Sequence, residues 1–129
     1  MSDSVEDLGK NAEEAIKSNL QSGENILLKL LGYKGQALVL TDQRIFVIKW
    51  GYDMLFKTEY RTYVYKNINS VDIKSGWLSG TFRINDSSFS KEDDEIFDDI
   101  SLNAITFPKK KLASFQKAVN KVHSIISAG

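Results

Sequence analysis

Apolar side chains recur along this chain at two different periods. Over residues 4–21, Val5, Leu8, Ala12, Ile16 and Leu20 return at steps of three and four, with acids and lysines between them. That spacing predicts an amphipathic helix. Ser4 is placed to cap its start, with Asp7 three residues on, and Ser22-Gly23 to end it. The same spacing returns near the other end, where Leu112, Phe115, Val119, Val122 and Ile126 predict a helix over 108–127. Pro108 stands where a first helical residue would.

Between the two helices the pattern shortens to strand and turn. Strands are predicted at 26–31, 36–40 and 44–50, separated by the turn signals Gly32-Tyr33-Lys34-Gly35 and Thr41-Asp42-Gln43. Gly51-Tyr52-Asp53 breaks the third run. Weaker strands follow at 55–60 and 62–66, and an alternating one at 70–74 points Val71 and Ile73 inward. Gly76-Trp77-Leu78-Ser79-Gly80 then turns into a strand at 81–84, and 100–107 reads as the last strand. Short strands in unbroken series before a terminal helix predict an antiparallel barrel or sandwich. Leu38, Leu40, Ile45 and Val47 are its core candidates. The absence of alternating strands and helices rules out a doubly wound sheet.

Composition mostly excludes. A chain of 129 residues, 42% hydrophobic and 26% charged, fits one folded domain. With no cysteine there are no disulfides, thiolate metal sites or Cys nucleophile. One histidine rules out a two-His zinc helix. The acidic start, Met1-Ser2-Asp3-Ser4-Val5-Glu6-Asp7, lacks the apolar core of an export signal. Apolar runs such as 45–48 fall far short of the ~20 residues of a membrane span. The expected location is therefore cytoplasmic, and Asn85-Asp86-Ser87 matches a glycosylation acceptor only by chance.

Seventeen basic and seventeen acidic side chains cancel in sum but not along the chain. Residues 1–23 carry a net −3, 24–90 a net +3, 91–104 a net −5 and 105–129 a net +5. The acid-rich stretch holds Glu92, Asp93, Asp94, Glu95, Asp98 and Asp99, and the basic one opens with Lys109, Lys110 and Lys111. A strand over 100–107 would hold these clusters roughly 25 Å apart at about 3.3 Å per residue. That is several screening lengths at physiological salt, so within one molecule they hardly neutralise each other.

The run from Glu24-Asn25-Ile26 through Gly32-Tyr33-Lys34-Gly35-Gln36 to Leu40-Thr41-Asp42-Gln43-Arg44-Ile45 resembles the bacterial pleckstrin-homology (PH-like) domain family. Tyr65-Lys66-Asn67-Ile68-Asn69-Ser70-Val71, Gly80-Thr81-Phe82 and Asn103-Ala104-Ile105 continue the resemblance. It implies a PH-like barrel of about seven antiparallel strands in two nearly orthogonal sheets, capped by the C-terminal helix. The PH-like domain would span 23–129, with strands within 24–107, an acidic loop at 85–99 and the helix at 108–127. The N-terminal helix, in 1–22, lies outside that pattern. The resemblance implies a binding module without catalysis.

Side-chain chemistry points the same way. His123, the only candidate base, sits on a regular helix, so no catalytic triad is expected and the chain is read as not an enzyme. Gly32-x-x-Gly35 and Gly76-x-x-x-Gly80 lack the Lys-Ser/Thr and following helix of a phosphate loop. Read from Asp86, a calcium loop would need Gly at Lys91 and Glu at Phe97, so it fails. No metal site and no cofactor is expected. Trp50 and Trp77 adjoin glycine turns, and burial of the ring body is the default reading for a Trp.

Candidate contacts for a protein partner are Tyr33, Lys34, Tyr52, Asp53 and Trp77, together with an exposed sheet edge. The alternative is peripheral binding to anionic membrane lipid. Lys29, Lys34, Lys49 and Lys57, near the first two hairpin loops, or the patch Lys109, Lys110 and Lys111 would carry it. Against the first set, Gln36 stands where a basic residue would complete the lipid pattern that the resemblance implies, and the 85–99 loop is acidic. The opposed charge clusters also suggest head-to-tail self-association or an acidic partner. Nucleic acid is not expected, because the lysine patch is short and lacks interleaved aromatics.

Overall fold

The computed structural model describes residues 5–33, 35–50, 58–86 and 102–128. Helix α1 (Lys10–Asn19) precedes strands β1 (Ile26–Leu31), β2 (Gln36–Thr41), β3 (Arg44–Trp50) and β4 (Thr58–Val64), which pair antiparallel in that order. After a 3-10 turn at Tyr65–Asn67, β5 (Ile68–Ser75), β6 (Ser79–Asp86) and β7 (Ala104–Pro108) form a second antiparallel sheet. A 3-10 turn at Lys109–Lys111 leads into helix α2 (Leu112–Ala128). Among the described residues no strand ladder joins the two sheets, so they form a PH-like sandwich and do not close into a barrel.

β2 and β3 read as continuous apolar runs, and the structure gives the reason. Both are buried on both faces. Leu38, Leu40, Ile45 and Val47 face the inter-sheet core, with Phe82, Phe107 and the α2 residues Phe115, Ala118 and Val122. Ala37, Val39, Phe46 and Ile48 face the other way, where Leu8, Ala12 and Ile16 cover them. The N-terminal helix thus builds a second core on the outside of the first sheet. Covering a side chain the size of Leu or Ile contributes about 1.5–3 kcal/mol. β6 shows the opposite pattern, strict alternation, because one of its faces is the less covered one.

Several expectations are corrected at element ends. The first helix begins at Lys10, and Val5 forms an isolated bridge beside Lys29 and stays 52% exposed. The Glu6 amide donates to the Lys29 carbonyl, and the Glu6 carboxylate accepts from the Leu31 amide. These bonds hold the chain extended until Gly9, at φ 90°, turns it into the helix. Ser4 lies outside the described residues. The two weak strands are one, Thr58–Val64, followed by the 3-10 turn. The last strand is five residues, since a turn occupies 102–103, so its span is nearer 16 Å at about 3.3 Å per residue. Pro108 closes that strand, and α2 starts at Leu112.

Candidate functional site

The β5–β6 turn is built to present two apolar side chains. The Gly76 amide donates to the Ser79 carbonyl at 2.7 Å, which closes the turn around Trp77 and Leu78. The Lys109 amide donates to the Leu78 carbonyl at 3.2 Å, and its ammonium to the Gly76 carbonyl at 3.3 Å. The tip is therefore fastened at both ends to the segment leaving β7. Just inside it, the Phe107 ring lies where a Cβ on residue 80 would stand, 2.6 Å away, so only glycine fits. Phe107 in turn stacks on Phe115 at 4.1 Å between centroids. At the tip itself Trp77 is 90% and Leu78 73% exposed.

The first hairpin reaches the same end. The Tyr33 amide donates to the Thr106 carbonyl at 2.8 Å. Gln36 spends both ends of its amide on the same residue, accepting from the Thr106 amide at 3.0 Å and donating to its hydroxyl at 2.8 Å. Gln36 is thus a clamp between the two sheets, which explains why an uncharged amide stands there. Tyr33 is 41% exposed, and its amide bond to Thr106 sets it beside β7, three residues before Lys109. From 73 to 82 and from 104 to 110 the sequence holds Lys74, Lys109 and Lys110 and no acid.

The lysine run divides by direction. Lys111 turns inward to the Glu6 carboxylate and the Leu31 carbonyl. Lys109 and Lys110 are exposed. Of the lysines for membrane binding near the hairpin loops, Lys29 pairs with Glu13 of α1 at 2.7 Å, and Lys49 is 3% exposed. Both serve the interior here, and neither is offered to a ligand. Lys34, Tyr52, Asp53 and Lys57 lie outside the described residues, as does most of the acidic loop.

A second polar cluster is structural. Arg44 grips the Glu24 carboxylate with two bonds of 2.9 Å, and Thr41 donates to it at 2.6 Å. The Arg44 pairing holds the Glu24 carboxyl near a pKa of about 2, against the opposing effect of burial. Arg44 also reaches the Asn19 carbonyl at the end of α1. The Thr41 hydroxyl accepts the Gln43 and Arg44 amides within its turn at 3.1 and 3.0 Å, while Asp42 accepts the Asn25 amide, seventeen residues earlier, at 3.1 Å. Tyr65 donates to the Thr41 carbonyl, and burial pushes its phenol upward. His123 lies 3.1 Å from the Val71 carbonyl, fastening α2 to β5. Among the described residues no three His, Asp or Glu side chains are placed to hold a metal ion, and no helix is long and apolar enough to cross a membrane.

Comparison with known proteins bears on the fold. A family model described as bacterial PH domain matches residues 12–121. The crystal structure of a pleckstrin homology domain from Shewanella amazonensis SB2B is similar at 19% identity and a TM-score of 0.61, over 92% of this chain and 90% of that one. A DUF1696 family protein with a pleckstrin-homology domain, from Shewanella loihica PV-4, is similar at 14% identity and a TM-score of 0.55, over 88% and 97%. No protein of curated function matches.

Proposed function

The chain belongs to the bacterial PH domain family, and from that premise we propose that it is a non-catalytic binding module of the cytoplasm that works by protein–protein contact. The contact surface is the end formed by Tyr33, Trp77, Leu78, Lys109 and Lys110. The exposure of Trp77 and Leu78 on a turn fastened by Lys109 carries the reading. Hydrophobic exposure of that degree costs solvation, and large aromatic side chains are prominent among the residues that dominate interface energies. Lys74, Lys109 and Lys110 around the tip favour a partner with an acidic rim.

A second reading, peripheral binding to anionic membrane, draws on the same lysines, since Trp beside Lys suits the membrane–water boundary. Immobilised protein, wild type against Trp77→Ala, tests the surface assignment. The reading expects proteins captured from cytoplasmic extract by the first and lost with the second. An unchanged set with both baits would remove this end as the contact surface.

A further inference from the structure

The start of the chain is fastened to the first sheet differently from the helix it leads into. α1 and the residue before it are held by burial, with Leu8, Ala12 and Ile16 packed against Ala37, Val39, Phe46 and Ile48. Residues 5–7 have no such seat. Val5 and Asp7 are exposed, and one isolated parallel bridge, Val5 beside Lys29, joins this segment to β1. What holds it is polar. The Glu6 amide donates to the Lys29 carbonyl at 3.0 Å. The Glu6 carboxylate accepts from the Leu31 amide at 2.8 Å and from the Lys111 ammonium at 2.5 Å. Lys111 also donates to the Leu31 carbonyl at 2.6 Å, so it is kept beside that amide by a bond of its own.

These groups make a carboxylate site on the edge of a sheet. β1 is the outermost strand of its sheet. Its Lys29 carbonyl and Leu31 amide face away from β2, and the 3-10 turn at Lys109–Lys111 sets the ammonium beside them. None of the three belongs to α1. The Lys29 side chain is engaged separately, on Glu13 of α1 at 2.7 Å. Residues 5–7 can therefore leave while α1 stays docked. The joint is Gly9, at φ 90°, where a Cβ would meet nothing within 4 Å.

The backbone groups of an edge strand are a template for another strand. We propose that residues 5–7 are a strap standing in for a ligand, and that an extended acidic segment of a partner protein takes their place. It runs parallel to β1, with its amide on the Lys29 carbonyl and its Glu carboxylate on the Leu31 amide and Lys111. Recognition is strand addition, with one acidic side chain read by a charge-assisted pair. The strap itself shows which group suits each partner. Being tethered, it competes at an effective concentration on the order of millimolar, so the closed protein binds such segments weakly and lifting the strap admits them. This site uses residues other than those of the Trp77 end and stands or falls independently of it.

Amide NMR spectra of the full chain test it, with the blocked peptide Asp3-Ser4-Val5-Glu6-Asp7-Leu8 as the probe. In the Glu6→Ala protein the peptide is expected to shift the Lys29 and Leu31 amides saturably at concentrations on the order of millimolar. Wild type is expected to bind about tenfold more weakly, as a strap closed about nine-tenths of the time imposes. Placing Glu6→Gln in the peptide, or adding Lys111→Met to the protein, is expected to abolish the shifts. Thermal melts establish that the variants are folded. No shift in folded Glu6→Ala overturns the proposal, as does equal binding by wild type or by the Gln peptide. Acetate giving the same shifts at the same concentration would reduce the site to one for a lone carboxylate and overturn the added strand. Should Glu6→Ala not fold, hydrogen exchange on wild type decides. The Leu31 amide is expected to exchange several-fold faster than those of β2, which is paired on both sides. Exchange as slow as in β2 would mean that the strap does not open, and would overturn the proposal.

Discussion

Where β1 begins, Glu24, Arg44 and Thr41 bury charge and satisfy it within the chain, each group holding the next. At the β5–β6 turn the fold does the reverse, spending backbone hydrogen bonds to hold Trp77 and Leu78 in water. The first corner has no remaining valence for a ligand: its carboxylate is taken by a guanidinium, a hydroxyl and a backbone amide. The second has apolar surface and ammonium groups with little of the chain against them. A polar cluster with a displaced pKa is thus the structural part of this molecule, and an unremarkable pair of apolar residues is the candidate site.

The sharpest way to break the contrast is Arg44→Ala, which leaves the Glu24 carboxylate buried and unpaired and is expected to cost about 3–5 kcal/mol. A urea titration measures it, and a loss below about 1 kcal/mol would mean that the corner does not hold the fold. The same pair makes stability depend on pH. The Glu24 carboxyl is displaced from 4.5 to about 2, so its contribution is complete above the upper value and disappears as pH falls through the lower one. That contribution is of order 3 to 4 kcal/mol, since each pKa unit is worth about 1.4 kcal/mol. Glu24→Gln should flatten the acid slope of the urea midpoint, and an unchanged slope would place the titration elsewhere.

Between the two regions lies the Gln36 clamp. Gln36→Leu removes both bonds to Thr106 and leaves that strand's amide and hydroxyl short of partners. The expected loss is about 1–2 kcal/mol in thermal or urea melts; no loss would mean water replaces the clamp at no cost. At the tip the expected effect on stability is the smallest. Trp77→Ala and Leu78→Ser should stay within about 0.5 kcal/mol of wild type, as exposed substitutions do. A larger loss would show that the ring packs on the protein and is not displayed for a partner.

The hydrophobic pattern makes most of the fold legible. β1 and β3 fall at the predicted residues, since long apolar runs bounded by turn residues leave little choice of register. Those same runs also carried an unread message: strands apolar on both faces require cover on both, and α1 supplies the second. The start of α1 was not legible. Val5 keeps helical spacing with Leu8, but the bonds of Glu6 to β1 come from residues 23 and 25 positions away and overrule it.

The candidate site was half legible. Trp77 was singled out by its place in a glycine-flanked turn, but its exposure, 90%, shows only once that turn is seen held out by Lys109, thirty-two residues further along. Lys109, Lys110 and Lys111 form one cluster in sequence and two in space, because Lys111 is claimed by Glu6. Leu78 gave no signal of its own. An exposed leucine in a turn is ordinary until the fastening of that turn by Lys109 is seen.

Hydroxyl-radical footprinting of the protein, in dilute buffer and in concentrated cytoplasmic extract, tests the central claim most directly. The account predicts that oxidation of Trp77 and Leu78 falls several-fold in extract, while Tyr60, exposed on β4, stays as reactive as in buffer. Equal oxidation of Trp77 and Leu78 under both conditions would contradict it.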